Sequence, residues 1–466
     1  MKRWTMLLPV LTACATSGSP PAQPAPEKSP APATMRSSDR QQYSSTYHRR
    51  LFQPVLIRHV NLFDGAGPEL HNTSVLMQDG KIVSVGNTLV APPDALIIDG
   101  TGKWVTPGII DTHSHLGVYA APGTAAESDG NEATNPNTAD VWAEHSVWPQ
   151  DPQIPLAIAG GVTVMQVLPG SANLIGGRSV TLRLVPARTV QEMKFPGAPY
   201  GMKMACGENP KRVYQNRGPS TRMGNMAGDR AAFIAAEEYR ARWDSWLKDR
   251  KGDPLPRDLR NETLAEVLRG NISVQNHCYR ADEMAQMLDL AKEFGFSIRS
   301  FHHAVEAYKI ADLLAASGTA ASVWSDWGGF KMEAFDNINE NLALLTQAGV
   351  RAVLHTDSPD GIQRMNQDMA KAYFAGVRAG ITLTREDAIK WVTVNPAWVL
   401  GIDQWTGTIA PGKMADVVLW SGDPFSVYTR TEKVFSEGWL VFDRLDPKRQ
   451  YQSDFNLGQT VPGVGR

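Results

Sequence analysis

Two histidines separated by one residue, His113 and His115, follow a short apolar run that contains Val105, Ile109 and Ile110. Residues two apart on a strand project to the same face, so both imidazoles would lie side by side at the end of a buried strand. Imidazole nitrogens are common ligands of zinc and related ions. A His-x-His pair alone is a weak signal, so its weight depends on later residues that could complete the site.

Side chains of other metal-ligand types end several later strands that the sequence predicts. In chain order these are Lys203, His277, His302 or His303, and Asp357. Adjacent strand residues face opposite sides of a sheet, so only one of His302 and His303 should face a shared pocket. Imidazoles together with a carboxylate suit Zn²⁺ or a similar divalent ion. If the strand ends meet, these residues predict a metal centre.

The scaffold that could bring these ends together is an α/β fold. Strands are predicted at 161–167, 271–277 and 297–303, with helical periodicity at 284–294 between two of them. This alternation implies parallel β/α units and favours a (β/α)8 TIM-like barrel over residues 106–400. The carboxyl ends of barrel strands open onto one face, where active sites lie. A doubly wound open sheet is the alternative, but no Gly-x-Gly-x-x-Gly turn follows a predicted strand.

Short strands and turns flank the predicted barrel on both sides. They occupy residues 51–105 and 401–445, and the two flanks could meet as one small β domain. Residues 446–466 show no such pattern and are predicted to be a polar tail.

The first residues are typical of an export signal. Lys2 and Arg3 precede an apolar stretch that ends in Leu11-Thr12-Ala13-Cys14, which resembles the lipobox of a bacterial lipoprotein. We therefore expect a signal peptide at 1–14 and a lipid on Cys14. A disordered tether rich in Pro, Ala and Ser is expected at 15–50. The expected location is the bacterial cell envelope, periplasmic or outer-membrane, with a plain secretory signal as the alternative.

Composition excludes several classes of protein. The chain has 466 residues, is 42% hydrophobic and carries a net charge of −2, so it lacks the basic balance of a nucleic-acid-binding protein. No apolar run reaches the roughly 18 residues that span a bilayer, so membrane association is expected only through the N-terminal lipid. Cys206 and Cys278 are too few for a disulfide framework and are expected to be buried free thiols, with a bond between them as the alternative.

Four motifs resemble those of the metal-dependent amidohydrolase superfamily, in particular its imidazolonepropionase-like and prolidase-like branch. They are Val105-Thr106-Pro107-Gly108-Ile109-Ile110-Asp111-Thr112-His113-Ser114-His115, His277 with Arg280-Ala281-Asp282, His303-Ala304-Val305-Glu306, and His355-Thr356-Asp357-Ser358-Pro359. Asn395-Pro396-Ala397 and the stretch Gly407–Asp416 support the resemblance, which covers roughly residues 54–440. The third motif selects His303 rather than His302.

The resemblance implies a barrel with a small β-sandwich built from both flanks, and a site for one or two divalent ions, with zinc expected. By the same resemblance, His113, His115 and Asp357 would hold the more buried ion. His277 and His303 would hold the second. A carbamylated Lys203 would bridge both ions, and Glu208 is the alternative bridge.

The resemblance also implies a hydrolase of amide, peptide or cyclic amide C–N bonds, with Asp357 as general acid and base. Arg212, Tyr214 and Arg222 lie on a long loop after the Lys203 strand and could bind a carboxylate of a small-molecule or dipeptide-like substrate. The alternative is that they hold the loop. A deaminase, a lactonase or a catalytically silent surface-binding lipoprotein are the competing functions, and a homo-oligomer is left open.

Overall fold

The computed structural model describes residues 43–450. The predicted signal peptide with Cys14, the tether up to residue 42 and the tail from residue 451 lie outside the described residues. Lipid attachment and the length of the tether therefore stay predictions.

Residues 43–50, which we expected to end the disordered tether, pack against the folded body. Ser45 Oγ donates to the carbonyl of Lys194 at 2.7 Å, and the Tyr47 hydroxyl donates to Glu437 at 2.8 Å. The expectation of disorder is wrong for this segment, because its polar groups have fixed partners on distant parts of the chain.

Five strands precede the barrel. β1 (Val55–Leu62) is antiparallel to β2 (Leu70–Gln78), which is antiparallel to β3 (Lys81–Gly86). β1 also pairs in parallel with β4 (Leu96–Asp99) and with β5 (Trp104–Pro107).

The next eight strands form a second sheet in chain order. They are β6 (Ile109–Ser114), β7 (Val162–Val167), β8 (Ile175–Arg183), β9 (Gly201–Ala205), β10 (Ser273–Cys278), β11 (Ile298–His303), β12 (Ala320–Val323) and β13 (Ala352–Leu354). The backbone N–H of Asp357, just after β13, donates to the carbonyl of His113 in β6 at 3.1 Å, so the sheet nearly closes on itself. The predicted barrel is confirmed.

One strand departs from strict β/α alternation. β8 runs antiparallel to both β7 and β9. The last residues of the glycine-rich stretch 170–177 belong to β8. Residues 168–174 are too few for a parallel crossover, which needs about a dozen residues, so the chain returns antiparallel.

Helices cover the barrel and connect its strands. They are α1 (Gln153–Ala159), α2 (Val190–Met193), α3 (Glu208–Val213), α4 (Arg222–Asp249), α5 (Leu259–Leu268), α6 (Ala281–Phe294), α7 (Ala311–Ser317), α8 (Asn341–Gln347), α9 (Met365–Arg378), α10 (Arg385–Lys390) and α11 (Val394–Val399). Thr384 and Asp387 form a capping box at the start of α10. Between residues 43 and 450, none of the helices has the length and apolar character needed to cross a membrane.

The C-terminal strands complete the first sheet. β14 (Val417–Trp420) is antiparallel to β5, and β15 (Thr431–Ser436) and β16 (Trp439–Asp443) follow it outward. The two flanks thus form one eight-stranded sheet, separate from the barrel, with a shared apolar core.

Gly108 lies where the chain passes from this sheet into the barrel. A Cβ atom at this position would lie 2.1 Å from Thr163 Oγ1 on β7, so a larger residue would clash. Its backbone N–H donates to the carbonyl of Asp416 at 2.9 Å. The close approach explains why glycine precedes the first barrel strand.

Candidate metal centre

The predicted ligands lie at the carboxyl ends of five barrel strands. His113 belongs to β6 and His115 follows it, Lys203 belongs to β9, His277 to β10 and His303 to β11, and Asp357 follows β13. Parallel strand ends share one face of a barrel, and here that geometry brings these residues together.

His113, His115 and Asp357 form a first cluster of ligand atoms. Asp357 Oδ1 lies 3.2 Å from His115 Nε2 and 3.6 Å from His113 Nε2. One ligand atom from each of the three residues lies within 4.8 Å of the others. His115 Nδ1 lies 2.9 Å from the carbonyl of Leu168, which can only accept, so Nδ1 carries the proton. The Nε2 lone pair of His115 is therefore free for a metal ion.

His303, His277 and His355 extend the cluster. The centroid of the His303 ring lies 4.5 Å from that of His277 and 4.8 Å from that of His113. His113, His303 and His355 form a second group of ligand atoms within 4.8 Å of one another. The Nε2 atom of His355 accepts a hydrogen bond from the backbone N–H of His303 at 3.1 Å, so His355 supports the strand end that carries His303.

The two candidate bridging residues have different surroundings. Lys203 is 1% exposed, and its Nζ lies 3.3 Å from His113 Nε2. The Glu208 carboxylate lies 3.5 Å from Lys331 Nζ, with more than a quarter of its side chain exposed. Burial lowers the pKa of Lys203 to about 8. The lysine is the candidate that contacts a predicted ligand.

Burial keeps the histidines neutral. It lowers the pKa of His113, His277 and His303 well below the ordinary value, and that of His355 to about 3. Burial acts to raise the pKa of Asp357, but the surrounding His115, His355 and Lys203 side chains together act more strongly in the opposite direction, so the pKa is lowered. Neutral imidazoles beside an ionised carboxylate are in the protonation states that bind metal ions.

Unpartnered nitrogens show that this donor set fits a divalent cation. The Nδ1 atoms of His277 and His303 are buried and have no hydrogen-bond partner among the described residues. A buried polar atom left unpaired costs about 1–3 kcal/mol. A bound metal ion would supply the missing partners.

The His302 and His303 rings both turn inward from β11, although adjacent residues of a regular strand face opposite sides. His302 Nδ1 lies 3.0 Å from His113 Nδ1, while the ring of His303 lies among the ligands. His303 has a φ of 66°, which departs from strand geometry and breaks the alternation of facing. Nothing in the sequence pattern signals this backbone conformation.

Asp111, two residues before His113, has no role predicted from the sequence but contacts two segments of the site. Its carboxylate accepts from the Thr356 hydroxyl at 2.6 Å and from the backbone N–H of His113 at 3.0 Å. Burial raises its pKa to about 7. Asp111 thus links the strand that carries His113 to the residue before Asp357.

A disulfide joins the strand ends next to two candidate ligands. Cys206 follows β9, Cys278 ends β10, and their Cα atoms lie 5.2 Å apart. The expectation of free thiols is wrong, because neighbouring strand ends bring cysteines 72 positions apart in sequence within bonding distance.

The three loop residues predicted to bind substrate have other surroundings. Tyr214 has no exposed surface, and its hydroxyl donates to the carbonyl of Asn135 at 2.9 Å. The Arg222 guanidinium forms ion pairs with Glu283 and Glu333. For Tyr214 and Arg222 these contacts support the alternative, in which the residues hold the loop. Arg212 is exposed.

Four aromatic side chains that we did not predict lie between His303 and solvent. We call them the aromatic wall: Tyr279, Trp324, Trp327 and Phe330. The ring of Trp324 stacks on His303 at 4.3 Å between centroids, and Tyr279 stacks on it at 5.2 Å. Trp327 and Phe330 contact Trp324 at 5.3 and 5.9 Å, and are 45% and 58% exposed. The wall therefore connects the candidate metal centre with solvent.

Comparisons with known proteins agree with this geometry. A model of the amidohydrolase family matches residues 306–442. The crystal structure of an amidohydrolase from Thermotoga maritima MSB8 is 37% identical, covers 84% of this chain and 100% of its own, and superposes with a TM-score of 0.78.

Two curated relatives are also similar. The amidohydrolase tasK of Hapsidospora irregularis is 35% identical over 396 residues, which is 79% of this chain, and the match spans 40% of the length of that protein. An imidazolonepropionase of Shewanella frigidimarina (strain NCIMB 400) is 26% identical over 387 residues, covering 76% of this chain and 88% of that protein.

Proposed function

The chain belongs to the amidohydrolase family, and we propose that it hydrolyses the C–N bond of an amide, peptide or cyclic amide at the barrel face. Membership makes it a metal-dependent hydrolytic enzyme. The observation that carries the proposal is the convergence of neutral imidazoles, with unpartnered nitrogens, on the ionised carboxylate of Asp357.

In the proposed site, His113, His115 and Asp357 would hold one divalent ion, and His277 and His303 would hold a second. Imidazoles with one carboxylate favour zinc. Such ions supply Lewis acidity, which lowers the pKa of a water molecule and polarises a carbonyl group.

We propose that Lys203 is carbamylated and bridges the two ions. Its pKa of about 8 leaves part of the amine neutral near pH 7. The neutral amine attacks the carbon of CO₂, and a new N–C bond forms as one C–O π bond opens onto oxygen. The nitrogen then releases a proton to water, which leaves an anionic carbamate with two oxygen donors. The contact between Lys203 and His113 supports this assignment over Glu208, which pairs with Lys331.

Asp357 is the proposed general acid and base. Its carboxylate would accept a proton from the attacking water and donate it to the nitrogen that leaves. The hydrogen bond from its own N–H to the carbonyl of His113 holds its backbone in place, and that backbone has a φ of 52°.

The proposed substrate is a dipeptide-like compound or a small cyclic amide. The aromatic wall would accept an apolar side chain next to the bond that breaks. Arg212, the exposed member of the predicted substrate-binding group, is our candidate for a contact with a substrate carboxylate.

A substrate panel tests the reaction class. Dipeptides, N-acyl amino acids, cyclic amides, lactones and aminated heterocycles are offered with and without a chelator. We expect hydrolysis of amides that the chelator abolishes. Deamination or lactone hydrolysis without amide hydrolysis would establish one of the competing enzymes on this scaffold. Metal binding without turnover of any compound would favour a silent binding protein.

We also propose that the protein is a bacterial lipoprotein anchored in the cell envelope through Cys14. The Cys206–Cys278 disulfide supports an oxidising compartment such as the periplasm. Labelling with a palmitate analogue should depend on Cys14, and undiminished labelling of Cys14→Ala would rule out the anchor.

A further inference from the structure

His302 connects His113 to a glutamine that is not a candidate ligand. His302 is fully buried, and its Nε2 lies 2.7 Å from Gln275 Oε1 on the neighbouring strand. Its other nitrogen, Nδ1, lies 3.0 Å from His113 Nδ1. Both ring nitrogens of His302 are thus engaged within the protein, which leaves neither for a metal ion.

The orientation of the Gln275 side-chain amide determines which atom donates in each of these hydrogen bonds. Gln275 Nε2 donates to Ser273 Oγ at 3.4 Å, which orients the amide so that its oxygen faces His302. An amide oxygen can only accept, so His302 Nε2 must carry a proton.

Because each neutral imidazole ring carries one proton, the donor of the hydrogen bond between His302 and His113 is then determined. Both partners of the fully buried His302 ring, the His113 imidazole and the Gln275 amide, lack a negative charge. A second proton would therefore bury an unpaired charge, and the ring holds a single N–H. Because that proton is on Nε2, His302 Nδ1 is an acceptor, and His113 Nδ1 must donate to it. The lone pair of His113 therefore lies on Nε2, the atom 3.3 Å from Lys203 Nζ and 3.6 Å from Asp357 Oδ1.

We propose that Gln275 and His302 are positioning residues, which fix the tautomer of His113 so that its Nε2 lone pair is ready for a metal ion. The proposal rests on the metal site of the proposed function. Without the acceptor at His302, some molecules would place the His113 proton on Nε2 and so block the ligand atom. Loss of such support for a metal ligand costs about 10- to 100-fold in metal affinity.

Zinc affinity of the metal-free full-length protein tests the proposal, measured by competition with a chromophoric chelator. Gln275→Leu removes the acceptor, whereas Gln275→Glu keeps an oxygen at the same position. Gln166→Leu is the matched control, because Gln166 is also a buried glutamine of the barrel and its Oε1 has no hydrogen-bond partner. We expect Gln275→Leu to weaken zinc binding about 10- to 100-fold, while Gln275→Glu and Gln166→Leu retain the wild-type affinity.

The outcomes separate this proposal from the function on which it rests. If wild-type protein binds no zinc, the proposed metal site fails. If wild-type protein binds zinc but Gln275→Leu binds it equally well, or if the Leu and Glu variants lose affinity equally, the tautomer proposal is overturned.

A ¹⁵N NMR spectrum of the wild-type protein tests the tautomer of His113 directly, without a variant of Gln275. Histidine labelled with ¹⁵N should show His113 protonated on Nδ1 in the metal-free protein, with the signal assigned by its loss in His113→Gln. Protonation on Nε2 would overturn the proposal.

Discussion

The Nε2 atom of His115 lies 3.2 Å from the Oδ1 atom of Asp357, which joins the first barrel strand to the segment after the last one. The opposite nitrogen of His115 faces the carbonyl of Leu168 at 2.9 Å, so the ring presents its lone pair to the carboxylate side. A metal ion between these atoms would separate two groups that otherwise contact each other. The pair therefore places one imidazole nitrogen and one carboxylate oxygen where a single ion could contact both.

Asp357→Asn should lower kcat by about 10²- to 10⁴-fold, because an amide cannot carry a proton between water and the leaving nitrogen. Its remaining oxygen and the histidines should keep most of the metal. The measurement is kcat on the best amide together with metal content. Asp360→Asn, an exposed acid on the same loop, is the matched control. Undiminished turnover in Asp357→Asn would assign proton transfer to another residue.

Lys203→Met should reduce the bound metal per chain, whereas Glu208→Gln should leave it unchanged. The reason is that Lys203 contacts His113, while Glu208 pairs with Lys331. Wild-type protein grown with ¹³C-labelled bicarbonate should also show a carbamate resonance that is absent in Lys203→Met. Loss of metal in Glu208→Gln but not in Lys203→Met would instead identify Glu208 as the bridging residue.

Replacing both Cys206 and Cys278 by serine should lower the free energy of unfolding by about 2–4 kcal/mol, because the disulfide closes a long loop. The bond joins the ends of the strands that carry Lys203 and His277, so metal affinity should fall as well. Denaturant unfolding with and without reductant measures the effect. Reductant should destabilise wild-type protein and leave the double variant unchanged. Equal stability of both proteins under oxidising conditions would contradict the bond.

Asp229→Asn should raise the free energy of unfolding at pH 8 and change that free energy less at pH 4. Asp229 on α4 is buried, its carboxylate oxygens have no hydrogen-bond partner among the described residues, and burial raises its pKa well above the ordinary value. The folded state therefore keeps a proton that the unfolded state loses above a pH of about 3.9, so this group lowers stability as pH rises towards the folded-state pKa.

Thermal midpoints at both pH values measure this difference. Asp249→Asn, an exposed acid at the end of the same helix, should shift the midpoint little at either pH. A lower midpoint for Asp229→Asn at pH 8 would show that the carboxylate has a stabilising partner.

Local patterns predicted much of the fold. Asp79-Gly80 signals a hairpin turn, and both residues have positive φ, 52° and 78°, between β2 and β3. Thr384 signals a helix start and forms the capping box. These features depend on neighbours in sequence, so the chain alone contains their signal.

Features that depend on distant contacts were predicted poorly. The reversal of β8 follows from a connection too short to cross over, a constraint that strand patterns do not contain. The Cys206–Cys278 bond requires knowing which strand ends are adjacent. The inward ring of His302 and the positive φ of His303 both depend on packing inside the barrel, so alternation along the strand does not predict that both rings turn inward.

Removal and return of metal is the most direct test of the account. Purified protein should contain about one to two divalent ions per chain. Dialysis against a chelator should abolish amide hydrolysis, and Zn²⁺ should restore it together with thermal stability. Undiminished amide hydrolysis by metal-free protein, or protein that binds no metal and gains no stability from Zn²⁺, would contradict the assignment of a metal-dependent hydrolase.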